Sequence, residues 1–188
     1  MEVKVLNKQI DLKQLEIDIR KSSNFQFAHQ FFHVNISSLQ DSKKLPFVLN
    51  QIADAPELHQ FLINNFTNIY SVDFEINHLD EFSYFENDRE LFGQILAGAS
   101  HDIMGAYSKQ LRIPTKKEVE EIFELFGSLG NFDGFVLKTR KHERNKDYEA
   151  IGAAHFSSWF YDVAWDYLIV ATWPKENIFW LGCLSDTD

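Results

Sequence analysis

The chain has 188 residues, 45% of them hydrophobic, with 18 Phe, six Tyr and four Trp, and a formal net charge of −10 from 28 acids against 18 bases. That length suits one domain, residues 1–188, which buries a core without help from disulfides or metal. The acid excess argues against nucleic acid or an anionic membrane as partner, because phosphate recognition needs clustered Lys and Arg. It fits a basic protein partner drawn in by long-range steering, with solubility as the plainer use of the charge.

A single cysteine, Cys183, allows no internal disulfide and points to a reducing compartment. The first ten residues carry charges where a signal peptide has its apolar core, and no apolar run approaches the roughly 20 residues that span a bilayer. The expected location is the cytoplasm.

In chain order, residues 2–6 alternate like a short strand, and residues 11–21 place Leu12, Leu15 and Ile19 at helical spacing behind an aspartate cap. Phe25, Phe27, His29, Phe31 and His33 then recur at period two, with Ala28, Phe32, Val34 and Ile36 between them. That pattern predicts a strand with both faces partly covered. Residues 45–53 open a helix at Pro46, and Asp54 with Glu57 forms a capping-box pattern ahead of Leu58, Phe61, Leu62 and Phe66. Residues 69–76 alternate like a strand. Leu91, Phe92, Ile95, Leu96, Ala99, Ile103, Met104, Tyr107 and Leu111 trace one helical stripe, weakened by Gly93, Gly98 and Gly105. Thr115 and Glu118 form a second capping box, opening a helix over 119–126 that Gly127 or Gly130 ends.

From Phe132 onward the pattern is β: residues 134–139, residues 148–156, and a terminal hairpin of 167–173 and 178–184 joined by a polar turn that starts at Pro174. The fold class is α+β: helices concentrated in the middle of the chain, packed on a mainly antiparallel sheet that ends in the hairpin. Whether Trp165, Trp173 and Trp180 belong to the core or to an interface stays open at this level.

Catalytic signatures are weak. Ser100, His101 and Asp102 spell the letters of a hydrolase triad, but neighbours on a helix point about 100° apart. A bend between Gly98 and Gly105 is the better account, and no Gly-x-Ser-x-Gly elbow exposes a serine. His29 and His33 on one strand stand about 13 Å apart, too far to share an ion. Cys183 sits in an apolar strand with no base beside it in sequence, so an inert buried thiol is expected. Gly127, Gly130 and Gly134 match no phosphate-binding fingerprint. No catalytic residue, metal or cofactor is assigned.

The charged segments are more informative. Residues 73–90 carry seven acids against Arg89, interleaved with Phe74, Phe82, Tyr84 and Phe85. Acids around aromatic anchors suit a basic protein: rings supply a desolvated centre while carboxylates steer. A second such group surrounds the hairpin. The candidate contact residues are Asp80, Glu81, Tyr84, Phe85, Glu86, Asp162, Trp165 and Asp166. The one basic cluster, Lys138, Arg140, Lys141, Arg144 and Lys146, reads as a polar hairpin tip or as partners for acids elsewhere.

A compact, acidic chain without a catalytic signature resembles bacterial immunity proteins that neutralise toxin domains. The resemblance is one of overall profile and covers no motif, so it transfers no residues. It implies a non-enzymatic acidic inhibitor of a basic protein. The alternative is an enzyme or small-ligand-binding domain with a pocket between helices and sheet, where His101, Asp102, His155 and Trp159 converge. A regulatory or scaffold domain is the third reading.

Overall fold

The hairpin organises the molecule. In the computed structural model, which describes residues 3–22, 25–34, 41–67, 78–79, 83–104, 110–139 and 167–186, every residue of strand β5 (Tyr167–Trp173) is buried. Its partner is β6 (Ile178–Asp186). The turn between them closes with the Glu176 N–H donating to the Trp173 carbonyl at 3.1 Å, and Asn177 takes a left-handed φ of 54°. Asparagine tolerates that conformation better than most residues, which is why a turn without glycine works here.

Around the hairpin lie β1 (Val3–Leu6), β2 (Phe25–Val34), β3 (Ser83–Asn87) and β4 (Asp133–Thr139). The strand order is β1-β2-β6-β5-β4-β3, and all pairings are antiparallel. The helices are α1 (Lys13–Ser22), α2 (Leu45–Asp54), α3 (Pro56–Thr67), α4 (Arg89–Ser100) and α5 (Lys116–Gly127). The α+β class is confirmed.

Helices cover both faces of the sheet. Along β5, Leu168 and Val170 cluster with Leu45, Val48, Leu49 and Ile52 of α2. The alternate residues Tyr167, Ile169, Ala171 and Trp173 cluster with α1, α4 and α5. Successive strand side chains point to opposite faces, so β5 reads as a continuous apolar run instead of an alternation. In β2, Phe27 and Phe31 face the α1 side, and Ala28, Phe32 and Val34 face the α2 side, as its period-two pattern predicts. Trp173 and Trp180 are fully buried, so both are core. Trp165 lies outside the described residues.

The helix expected along the stripe from Leu91 is shorter than its apolar pattern. α4 ends at Ser100 because Asp102 adopts φ 54°, and the Ile103 N–H donates to the Gly98 carbonyl at 3.1 Å. That six-to-one bond around a left-handed residue is a Schellman ending. An aspartate takes the place usually held by glycine, which hides the stop from a sequence reading. Ser100, His101 and Asp102 are thus a helix terminus. Within α4, Gly93 lets α5 approach: a Cβ there would stand 2.6 Å from the Phe123 ring and 2.8 Å from Val119. The strands expected at 69–76 and 148–156 fall outside the described residues.

Candidate functional site

Of the predicted contact residues, β3 carries three. Phe85 is 3% exposed and belongs to the core on the α2 side, so it is not available as a surface anchor. Alternation along the strand turns Tyr84 and Glu86 to the other face. Tyr84 is half-buried, and Glu86 is exposed and ion-paired with Lys138 of β4. One base of the basic cluster therefore partners an acid of the acidic segment. Asp80, Glu81, Asp162, Trp165 and Asp166 lie outside the described residues. So do His155 and Trp159, while His101 is the exposed cap residue of α4. Of the four residues expected to line a pocket, His101 and Asp102 form the C-terminal end of α4, and the other two lie outside the described residues.

A cleft of about 290 Å³ opens where β1, the loop after it, α1 and β2 meet, lined by Val5, Leu6, Asn7, Lys8, Glu16, His29, Gln30 and Phe31. His29 and Phe31 form its ring-bearing wall, and His29 also packs against Phe27 and Trp180. The His29 ring lies 5.2 Å from Phe27, 5.8 Å from Trp180 and 6.4 Å from Phe31, centroid to centroid. His29 Nε2 stands 2.8 Å from Glu16 Oε1. Burial among these rings pushes the His29 pKa below its usual value, and the Glu16 carboxylate pulls it back by less. The imidazole is then neutral, with Nε2–H donating to Glu16. Nδ1 is buried and has no hydrogen-bond partner among the described residues. One nitrogen is committed and the other is inaccessible, so His29 does not act as a base toward a molecule in the cleft. Its role is to hold α1 against β2 and to form a neutral wall.

The rim is set by short-range bonds. Lys8 pairs with Asp11, whose Oδ1 also accepts the Lys13 N–H at 3.1 Å near the start of α1. Gln30 Nε2 donates to the Leu6 carbonyl at 2.6 Å and to the Phe31 carbonyl at 2.9 Å, tying β1 to β2. Sequence reasoning passed over this site. The available signal was Glu16, which falls on the same helical face as Leu12, Leu15 and Ile19, all buried. A carboxylate at such a position needs a partner, and His29 on the inward face of the next strand supplies it.

A second feature is the strap before α5. Arg112 grips Glu118 with a two-pronged fork, Nη1 to Oε2 at 2.8 Å and Nη2 to Oε1 at 2.6 Å. Glu118 also accepts the Thr115 N–H at 2.7 Å, and its own N–H donates to Thr115 Oγ1 at 3.4 Å, completing the predicted capping box. The guanidinium holds the Glu118 carboxyl down to about 2. With the backbone so pinned, Leu111 and Ile113 point into solvent at 65% and 77% exposure. Solvating two branched aliphatic side chains on a fixed segment has a cost that a flexible loop would avoid by turning them inward.

Among the described residues, no three His, Cys, Asp or Glu side chains converge as metal ligands, and no helix is long and apolar enough to cross a membrane. No family model, no curated protein and no solved structure matches this chain.

Proposed function

We propose that this chain is a non-enzymatic protein-binding domain that engages a basic partner, in its specific form an acidic inhibitor on the pattern of bacterial immunity proteins. The observation that carries the reading is the pinned strap. Leu111 and Ile113 are exposed on a segment held by the Arg112–Glu118 fork and the capping box. A pre-organised apolar pair binds at low ordering cost, since the segment loses little freedom when a partner covers it. The net charge of −10 supplies steering toward a basic surface and raises the association rate at low salt.

The test uses two baits, the wild-type chain and Leu111→Ser/Ile113→Ser, against one lysate at low salt. Surface changes at exposed positions leave melting behaviour close to wild type. The expected result is a basic protein bound near stoichiometrically by the wild type, released by salt, and bound at least tenfold more weakly by the variant. Inhibition of that partner's own activity by the wild-type chain then tests the inhibitor form. Equal recovery on both baits would remove the strap from the argument, and recovery of no basic protein would sink the partner class.

A further inference from the structure

We propose that the cleft between β1 and α1 binds a free α-amino acid with a small apolar side chain. Its volume of about 290 Å³ lies at the lower end of small-molecule sites. That suits a molecule of amino-acid size and is tight for a nucleotide. The lining divides by chemistry. Val5, Leu6 and Phe31 offer an apolar patch, while Lys8 and Glu16 place one cation and one anion on the same cleft.

The hydrogen-bonding inventory sharpens this. Glu16 gives Oε1 to His29 and has a second carboxylate oxygen. Gln30 spends its amide N–H groups on the Leu6 and Phe31 carbonyls, which leaves Oε1 as an acceptor. Those two oxygens suit an ammonium group. Lys8 carries three donors and pairs with Asp11 at the surface, where both side chains are more than half exposed and the pair holds weakly. Lys8 and the Asn7 side-chain amide suit a carboxylate.

A ligand with only a positive charge would meet Lys8, and one with only a negative charge would meet Glu16. A zwitterion satisfies both, so the two opposed charges select it against either half. His29 contributes no competing charge, because its burial keeps the ring neutral. Gln30 fixes the backbone of Leu6, so the site is formed before the ligand arrives.

Thermal-shift titration of the intact chain with each proteinogenic amino acid tests the proposal. At ten times Kd the expected rise in Tm is roughly 3–6 °C, for one or a few members with small aliphatic side chains. Glu16→Gln keeps an acceptor for His29, and Lys8→Met keeps the aliphatic stem, so both variants fold. Each should weaken binding at least tenfold. Propylamine and propionate, each carrying one charge, should produce no shift at the same concentration. No shift with any amino acid overturns the proposal. So does an equal shift from either half-ligand, or wild-type affinity in both variants.

Discussion

On one side of the sheet, Val48, Leu49 and Ile52 of α2 share a cluster with Leu168, Val170 and Leu181. Phe32, Phe85, Phe135 and Phe179 belong to it too, yet among the described residues it is more aliphatic than the other side and holds no tryptophan. On the other side, Phe92 and Phe126 pack around Trp180, and Phe126 and Phe132 around Trp173. The Phe126 ring sits 4.9 Å from Trp180 edge to face, and 6.1 Å from Trp173 nearly parallel. Both indole Nε1 atoms are buried without a hydrogen-bond partner among the described residues. Each such group costs about 1–3 kcal/mol, against about 0.5–1.5 kcal/mol gained per aromatic pair beyond area burial. The aromatic face therefore tolerates unpaired donors because each tryptophan touches several rings at once, a compensation the aliphatic face does not require.

The largest effect should come from deleting that hub. Trp180→Ala is expected to cost about 4–5 kcal/mol, and Leu49→Ala on the opposite face about 3 kcal/mol, both read from urea unfolding. Trp180→Phe separates ring from donor: it removes the orphaned N–H while keeping a ring, so it should cost less than Leu49→Ala. If Trp180→Phe were as damaging as Trp180→Ala, the indole N–H would have a partner and the contrast between faces would fail.

Gly182 gives a second, smaller handle. A Cβ at this position would stand 2.3 Å from the Trp180 ring, a flat group that cannot bend aside. Gly182→Ala should destabilise by about 2 kcal/mol through overpacking. Combined with Trp180→Phe, which vacates that space, the penalty should largely vanish, giving a coupling of about 1–2 kcal/mol in a double-mutant cycle. Strict additivity would mean that the glycine is needed for backbone conformation and not for the ring lying over it.

The same contrast explains what was legible in the sequence. The hairpin was readable because β5 is apolar but for Thr172, β6 is apolar from Ile178 to Leu184, and the turn opens with Pro174. β2 was readable because Phe27 and Phe31 alternate with Ala28 and Phe32, and α5 because Thr115 and Glu118 stand three apart. These are local signals, fixed by backbone periodicity and capping chemistry. The stop of α4 was not legible, because Asp102 adopts a left-handed conformation that sequence readers reserve for glycine. The strand order was not legible either: β6 pairs with both β2 and β5, and only tertiary packing decides that. Phe85 looked like a surface anchor among acids, and strand alternation turned it inward. The His29–Glu16 pair joins residues 13 apart in sequence on two elements, each with its own period, so neither pattern alone revealed it.

The smallest expected effect is also the one that titrates. His29 shares the aromatic face with Phe27 and Trp180, and burial holds its folded pKa below the usual 6.5 while Lys8 and Arg20 push it the same way. The Glu16 carboxylate opposes them, and burial prevails. The unfolded chain then takes up the proton at higher pH than the folded one. The stability from a neutral His29 is fully present above about pH 6.5 and is lost as pH falls toward the folded pKa. Between about pH 7 and pH 5, the Tm of the wild type should therefore fall more steeply than that of His29→Gln, which has no titrating ring. Leu49→Ala, on the face opposite His29, should shift the whole curve down without changing the difference in slope. A wild-type Tm that rises on acidification would mean that Glu16 outweighs burial. The contact between α1 and β2 would then be an ion pair strengthened by acid, and the cleft wall would carry a charge that alters which ligands it admits.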